Sequence, residues 1–577
     1  MEPQASLKES HAALLREVLH EELGGLEPGV WEKLLPAIRW KELAAGETLF
    51  REGDSADAMY VVVSGRLRAM REDEGKPVFI GDIGRGETVG EMALLTGAPR
   101  SATVEAMRDC VLAGLDQATF NELARMCPQT VFHVAKVQFD RIQRANRPRS
   151  LEKQRLSVMV LSADPSCDAR GFASKLTGEI RARGHNAVLA TKDEAPSGAG
   201  TPVDRRHRLA IWLNEKEAFA THLAMAGDPA DDLWNRQCAR SADAVLVLVR
   251  PGCEPRLPDD LIPEISRRIL VVLHPDGRNR PSGTAKALRA CKSTSCFHLR
   301  EDSREDWQRL GRWLTGRAVG IAFAGGGARS FAHLGVIRAL REHGIPLDTA
   351  AGTSLGAIVA SGVSLDLPLD DLMARFSVMV KTNPTKRDYL LVPRSSLLSG
   401  RKLDRLLPQL LPDVEIEDCW KGFACVSANI TNPGAHVHRS GSLLKALRST
   451  VSIPGVFPPV KVGDGELLVD GGVVNNLPAD ILREHGAGRI IACDQGGSGT
   501  RAPGAPDNPN AIGIIMRSVI LHSRISGRAW RREADLYIES PVGDIGLLEW
   551  DRFESALQRG YDQARRDLEN VDPVLWQ

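Results

Sequence analysis

No apolar run in the 577-residue sequence reaches the roughly 18 residues that a membrane-spanning helix needs. The longest, AVLVLVR at 244–250 and RILVVLH at 268–274, have the length of buried strands. The opening MEPQASLKESHAALLREV lacks the basic-then-apolar pattern of a secretory signal. A soluble protein of the cytoplasm, or one peripheral to the inner face of the membrane, is therefore expected. An excess of charge of one sign is also missing: Lys+Arg and Asp+Glu both number 74, which favours neither a nucleic-acid partner nor a strongly anionic one. The ten cysteines contain no C-x-x-C. Cys291 and Cys296 have no neighbouring His or Cys to complete a zinc site, so no metal is expected and the thiols read as reduced and mostly buried.

What is present is a chain too long for one core, with the 43% hydrophobic and 26% charged composition of a globular protein. The fold class expected is multidomain. Residues 1–29 read as a helical segment. From 30 to 150, short β-branched runs between Gly and Asp turns predict a small β-roll, followed by the helical stretch ATFNELARM to VQFDRIQRAN. The basic RPRSLEKQR is then either a linker or a solvated helix end. From 151 to 316, strand-like runs alternate with amphipathic segments, the pattern of an α/β unit with a parallel sheet and no evident catalytic constellation. From 317 to 577 that pattern returns with sharper punctuation.

The punctuation carries chemistry. AGTSLGA, at 351–357, places Gly352, Ser354 and Gly356 in a G-x-S-x-G between a predicted strand and a predicted helix. Glycines two before and two after the serine allow the sharp turn that exposes a nucleophile at a helix N-terminus. Upstream, Gly325, Gly326 and Gly327 open the next helix and bare their N–H groups toward an anion. A phosphate is one candidate, but GGGARS lacks the Lys-Ser/Thr of a P-loop; an oxyanion fits better, and a tight packing turn is the plainer alternative. Downstream, Asp470 closes the strand ELLVD ahead of Gly471-Gly472. It reads equally as the turn former of a D-G hairpin or as a general base facing a cleft.

Together the G-G-G-x-R at 325–329, the G-x-S-x-G at 352–356 and the D-G-G at 470–472 resemble the patatin-like phospholipases. The resemblance covers 317 to about 570 and implies a parallel-sheet α/β domain. It implies Ser354 as nucleophile, Asp470 as base of a Ser–Asp dyad, and the amides of Gly325–Gly327 as oxyanion hole. SLLSGRKL, SIPGVFPP and ADLYIESPVG extend the likeness toward the neuropathy target esterase branch, which implies lysophospholipid or phospholipid substrates and an acyl-enzyme, with no catalytic cofactor. The rival is a Ser-His-Asp carboxylesterase in which His485 or His522 is the base and Asp470 orients it.

A second constellation lies in GETVGEMALLTGAPRSATVEA, at 86–106. Helix-opening amides and Arg100 could cradle a phosphate, and Glu91 could accept from a ribose hydroxyl; a solvated Glu and a surface Arg are the alternative. The stretch resembles the phosphate-binding cassette of cyclic-nucleotide-binding domains. Gly90, Glu91, Arg100, Ser101 and Ala102 fall on that family's binding positions, which implies cyclic AMP or cyclic GMP as a regulatory ligand, with the base left open by Ser101. No basic recognition helix follows, so no nucleic-acid partner is expected. The expected function is thus a lipid esterase modulated by a cyclic nucleotide. The alternative from another class is a nucleotide-binding scaffold with an inactive hydrolase domain. Residues 378–403, rich in Lys/Arg and in Leu, Val and Tyr, and PGVFPP read either as a contact with an anionic bilayer or as a lid or ordinary surface loop.

Overall fold

The computed structural model describes residues 11–20, 28–73, 76–129, 156–196, 202–258, 260–264, 266–275, 280–392, 395–463, 465–495 and 534–576. The expected helix around VQFDRIQRAN, the RPRSLEKQR segment and His522 lie outside them. The chain divides into two compact units, Met1–Val271 with Leu288–Ser295, and Val272–Ala287 with Cys296–Gln577.

In the first unit, eight antiparallel strands make the roll: β1 (Arg39–Leu43), β2 (Thr48–Phe50), β3 (Ala58–Ser64), β4 (Leu67–Asp73), β5 (Lys76–Ile83), β6 (Thr88–Val89), β7 (Thr103–Ala106) and β8 (Cys110–Asp116). They form two four-stranded sheets, in the orders β1-β8-β3-β6 and β2-β7-β4-β5. β3 is apolar along its length because both of its faces are covered. Ala58, Tyr60 and Val62 pack between the sheets with Leu49, Leu67 and Val104. Met59, Val61 and Val63 pack with Trp31, Leu34, Phe120 and Leu123 of the helices Pro28–Ala37 and Gln117–Met126.

The same unit contains β9 (Leu156–Ser162), β10 (Ala187–Ala190), β11 (His222–Ala226) and β12 (Ala244–Val249), which are parallel and ordered β10-β11-β9-β12. Arg108, in the β7–β8 turn, joins the roll to this sheet. Its buried guanidinium pairs with Glu217, lies 3.1 Å from Asp243 and donates to the Ser241 carbonyl at 2.6 Å. Facing two buried carboxylates, it is held well above the usual arginine range despite its burial. β13 (Arg267–His274) carries the chain from the first unit to the second, and β14 (Ser295–Arg300) follows.

The second unit is built on β15 (Val319–Phe323), β16 (Thr349–Thr353), β17 (Gly422–Asn429), β18 (Gly434–His438), β19 (Val460–Val462), β20 (Glu466–Asp470), β21 (Arg489–Asp494) and β22 (Leu536–Glu539). Their order is β19-β20-β17-β16-β15-β21-β22, with β18 paired to β17. The run from β17 to β22 is parallel, whereas β20 is antiparallel to β17. β20 is thus an exception within the parallel-sheet domain that the sequence leads one to expect. β20, paired on its other side with β19, meets β17 at Ser427–Asn429 and stops with Asp470 opposite Ser427. Thr353 pairs with Val426 and Phe323 with Gly352. Register therefore brings the residues just past β15 and β16 and the end of β20 to one level, despite the reversed strand.

Candidate active site

Ser354 sits between β16 and the helix Leu355–Ser364, every residue of which is buried. Its backbone is held at φ 54° and ψ −132°, a conformation that costs a non-glycine residue on the order of 1–3 kcal/mol. The flanking glycines explain how the turn is packed. A Cβ on Gly352 would lie 2.5 Å from the Gly356 carbonyl, and one on Gly356 would lie 2.5 Å from the Phe323 and Ala324 carbonyls. Only bare backbone lets strand, helix and glycine loop approach this closely.

Ser354 Oγ donates to Asp470 Oδ2 at 2.6 Å. Asp470 Oδ1 accepts from the Gly472 amide at 2.8 Å, so the carboxylate is oriented by its own D-G-G turn. Complete burial pushes Asp470 up from 3.8 to about 6, against the opposing effect of its two hydrogen bonds. No histidine among the described residues hydrogen-bonds to either side chain. His485 closes the helix Ala479–Glu484, and burial lowers it to about 4.

The glycine loop lies beside the pair: a Cβ on Gly325 would be 2.9 Å from Ser354 Cβ. Its three expected donors are not equivalent. The Gly325 amide donates to the Asn476 carbonyl at 3.2 Å, and the Ala328 amide to the Leu547 carbonyl at 2.9 Å. The Gly326 and Gly327 amides have no hydrogen-bond partner among the described residues, which leaves them as the donors for an anion.

In the roll, Arg100 is buried with its guanidinium stacked 4.1 Å from the Phe50 ring centroid. It donates to the carbonyls of Gly90 at 3.0 Å and Ala58 at 2.6 Å, and meets Asp57 at 3.3 Å. Its buried Nε has no hydrogen-bond partner among the described residues, a donor that fits a phosphate oxygen. Glu91, also buried, opens the six-residue helix Glu91–Thr96 behind Gly90. Ser101 is exposed and Ala102 buried on the way into β7. The five expected residues thus surround one corner of the roll.

Residues 321–483 match the family profile described as patatin-like phospholipase, and residues 40–126 match that of the cyclic nucleotide-binding domain. The chain carries both domains. It is 27% identical over 92% of its length to patatin-like phospholipase domain-containing protein 7 of Mus musculus, covering 45% of that protein. It is 29% identical over 81% of its length to neuropathy target esterase sws of Drosophila melanogaster, covering 37% of it. The regulatory domain of Toxoplasma gondii PKA, solved with cAMP, matches 21% of this chain and 45% of that one at 33% identity, with a TM-score of 0.18. The chain spans less than half the length of these two curated relatives.

Within the patatin-like domain, several supporting residues escape the sequence reading. Thr450 Oγ1 accepts the Ser354 amide at 3.0 Å and donates to the Val426 carbonyl, pinning the strained turn. Two residues on, the Ser452 carbonyl accepts the Asp470 amide at 2.8 Å, so one short segment holds both members of the pair. Arg329, the last residue of G-G-G-x-R, grips the carbonyls of Ile545 at 2.6 Å and Gly543 at 2.9 Å. Gln495, at the end of β21, donates to the Ala324 carbonyl at 2.7 Å and His333 Nε2 meets it at 2.9 Å, fixing the start of the glycine loop. His333 is buried and lowered to about 4, hence neutral at physiological pH. ELLVD and RIIACD announce strands, but nothing in LLKALRST or DQGGSG marks Thr450 or Gln495 as a support. Among the described residues, no group of three or more His, Cys, Asp or Glu could hold a metal ion.

Proposed function

We propose that the patatin-like domain hydrolyses carboxylic esters of lysophospholipids or phospholipids through an acyl-enzyme on Ser354. The observation that carries this reading is the 2.6 Å bond from Ser354 Oγ to a buried carboxylate, made from a strained turn beside two unpartnered amides. Ser354 Oγ attacks the ester carbonyl while Asp470 takes its proton. The oxyanion that forms accepts from Gly326 and Gly327. As the intermediate collapses, the C–O bond to the glycerol side breaks and Asp470 returns the proton to the departing alkoxide. Water, deprotonated by Asp470, then attacks the acyl carbonyl and releases the fatty acid, and Ser354 recovers its proton. The family match and the named activity of the Drosophila relative support a lipid ester as substrate.

The roll is proposed to bind a cyclic nucleotide, with Arg100 Nε meeting the phosphate and Glu91 the ribose, and so to modulate hydrolysis. The test is fatty-acid release from a lysophospholipid with and without cyclic AMP or cyclic GMP. Ser354→Ala should abolish both release and fluorophosphonate labelling, and Arg100→Ala should abolish any nucleotide effect while leaving basal release. Labelling that survives Ser354→Ala would overturn the assigned nucleophile.

A further inference from the structure

The segment between the helices Leu369–Thr382 and Arg401–Leu410 exposes four consecutive large apolar residues. Tyr389 is 72%, Leu391 102% and Val392 71% exposed, with Leu390 at 37%. Leaving Leu391 wholly in water forfeits the burial that a leucine ordinarily gains, so a stiff chain that presents it needs a reason.

This chain is stiff at its base. Buried Asp388 accepts from Ser399 Oγ at 2.6 Å and from the Gly400 amide at 2.8 Å, tying the two ends of the segment together. Leu390 N–H reaches the Leu397 carbonyl at 3.0 Å, and Lys402 Nζ caps the Lys386 carbonyl at 2.6 Å. Leu397 and Leu398 donate to the carbonyls of Gly455 and Val456, both at 2.9 Å. That second anchor lies three residues past Ser452, which holds Asp470. The apolar tip is thus rooted directly in the segment that frames the candidate active site.

The charge around it has one sign. Residues 381–402 contain Lys381, Lys386, Arg387, Arg394, Arg401 and Lys402 against a single acid, Asp388. Asp388 is spent inside the knot, while Lys381, Lys386, Arg387 and Arg401 are exposed. An exposed apolar tip on an anchored base, flanked in sequence by cations, fits an anionic lipid surface, where the tip enters the acyl boundary and the cations meet headgroups. A lid would turn its apolar residues inward, and a protein partner would not by itself call for an unopposed cationic collar.

We propose that Tyr389–Val392 is a membrane wedge that seats the patatin-like domain on an anionic bilayer beside the Ser354–Asp470 pair. The wedge gives the lipid-ester reading its route to substrate and rests on that reading for its purpose, but its binding is testable alone. The full chain is sedimented with vesicles of phosphatidylcholine, with or without phosphatidylserine, alongside Leu391→Glu/Val392→Glu and Lys386→Glu/Arg387→Glu. Hydrolysis of a water-soluble short-chain ester is measured in parallel.

The wild type should bind the phosphatidylserine vesicles and release from them as salt rises. The apolar double variant should lose at least about tenfold in binding. Reversing two surface charges should weaken binding by at least roughly 30-fold, the loss expected for the two cations alone, and flatten its salt dependence. All variants should keep soluble-ester turnover within about twofold, since none of these residues touches Ser354 or Asp470. Binding of Leu391→Glu/Val392→Glu equal to wild type would overturn the wedge, as would equal wild-type affinity for neutral and anionic vesicles. Vesicle binding by a wild type that hydrolyses no ester would instead keep the wedge and defeat the esterase reading.

Discussion

At the scale of single residues, the electrostatics of Asp470 set a pH signature. A base must be deprotonated to accept the Ser354 proton, and burial holds this carboxyl at about 6 rather than 3.8. The activity kcat/KM should therefore rise with pH through about 6 and level off above 7. An acid limb centred near 4 would show the carboxylate to be solvated during turnover. The same shift has a consequence for stability. A raised folded pKa means that the folded state holds the proton more tightly, so its contribution is fully present below about 4 and lost as pH rises through 6. Some stability is spent at neutral pH to keep a carboxylate dry beside the serine. Ser354 and Asp470 were both legible as residues because glycine punctuation surrounds them in a strand-to-turn context. Thr450 and Ser452 were not, because each acts through a single hydroxyl or carbonyl at the end of an ordinary amphipathic helix.

At the scale of elements, the glycine loop can serve as the proposed oxyanion site only while its backbone is held in place. Arg329 does part of this by gripping two carbonyls of the 543–545 segment, while the Leu547 carbonyl holds the Ala328 amide. Arg329→Leu should lower kcat by between about 10- and 100-fold with little change in KM, since the oxyanion exists only in the transition state. Arg329→Lys should restore only part of this, because one ammonium cannot span two carbonyls. An equal loss in KM alone would make Arg329 a substrate-binding residue instead. The loop's pattern was evident from GGGAR, but its partners were not, since any sequence supplies carbonyls. Equally hidden was the direction of β20: ELLVD reads as a strand either way, and only its pairing with Ser427–Asn429 reveals that it runs against β17.

At the scale of the molecule, the roll and the parallel strands β9–β12 share one compact unit, an arrangement that separate sequence patterns for 30–150 and 151–316 do not convey. Arg108 is one of the residues that join them, with Glu217 and Asp243 against it, alongside Arg66–Asp243 and Arg240–Asp109. Arg108→Met would leave buried Glu217 without its arginine, while Asp243 keeps Arg66 at 3.3 Å, and should cost about 3–5 kcal/mol, seen as a lower first unfolding transition of the full chain. Arg39→Ala, at the exposed pair with Asp116, should shift it by less than about 1 kcal/mol. Equal effects would mean that the Arg108 network contributes no more than a surface pair. Its position, eight residues after Arg100 and just beyond β7, also puts the Arg100 corner and the buried network on one short stretch of chain.

In the proposed chemistry Asp470, without a histidine, activates Ser354. The most direct measurement is the rate of fatty-acid release from a lysophospholipid by wild type, Asp470→Asn and His485→Ala, each shown to be folded. Asp470→Asn should lose about 10²- to 10⁴-fold, and His485→Ala should stay within about twofold of wild type. Near-normal turnover by Asp470→Asn, or a folded but inactive His485→Ala, would contradict that chemistry.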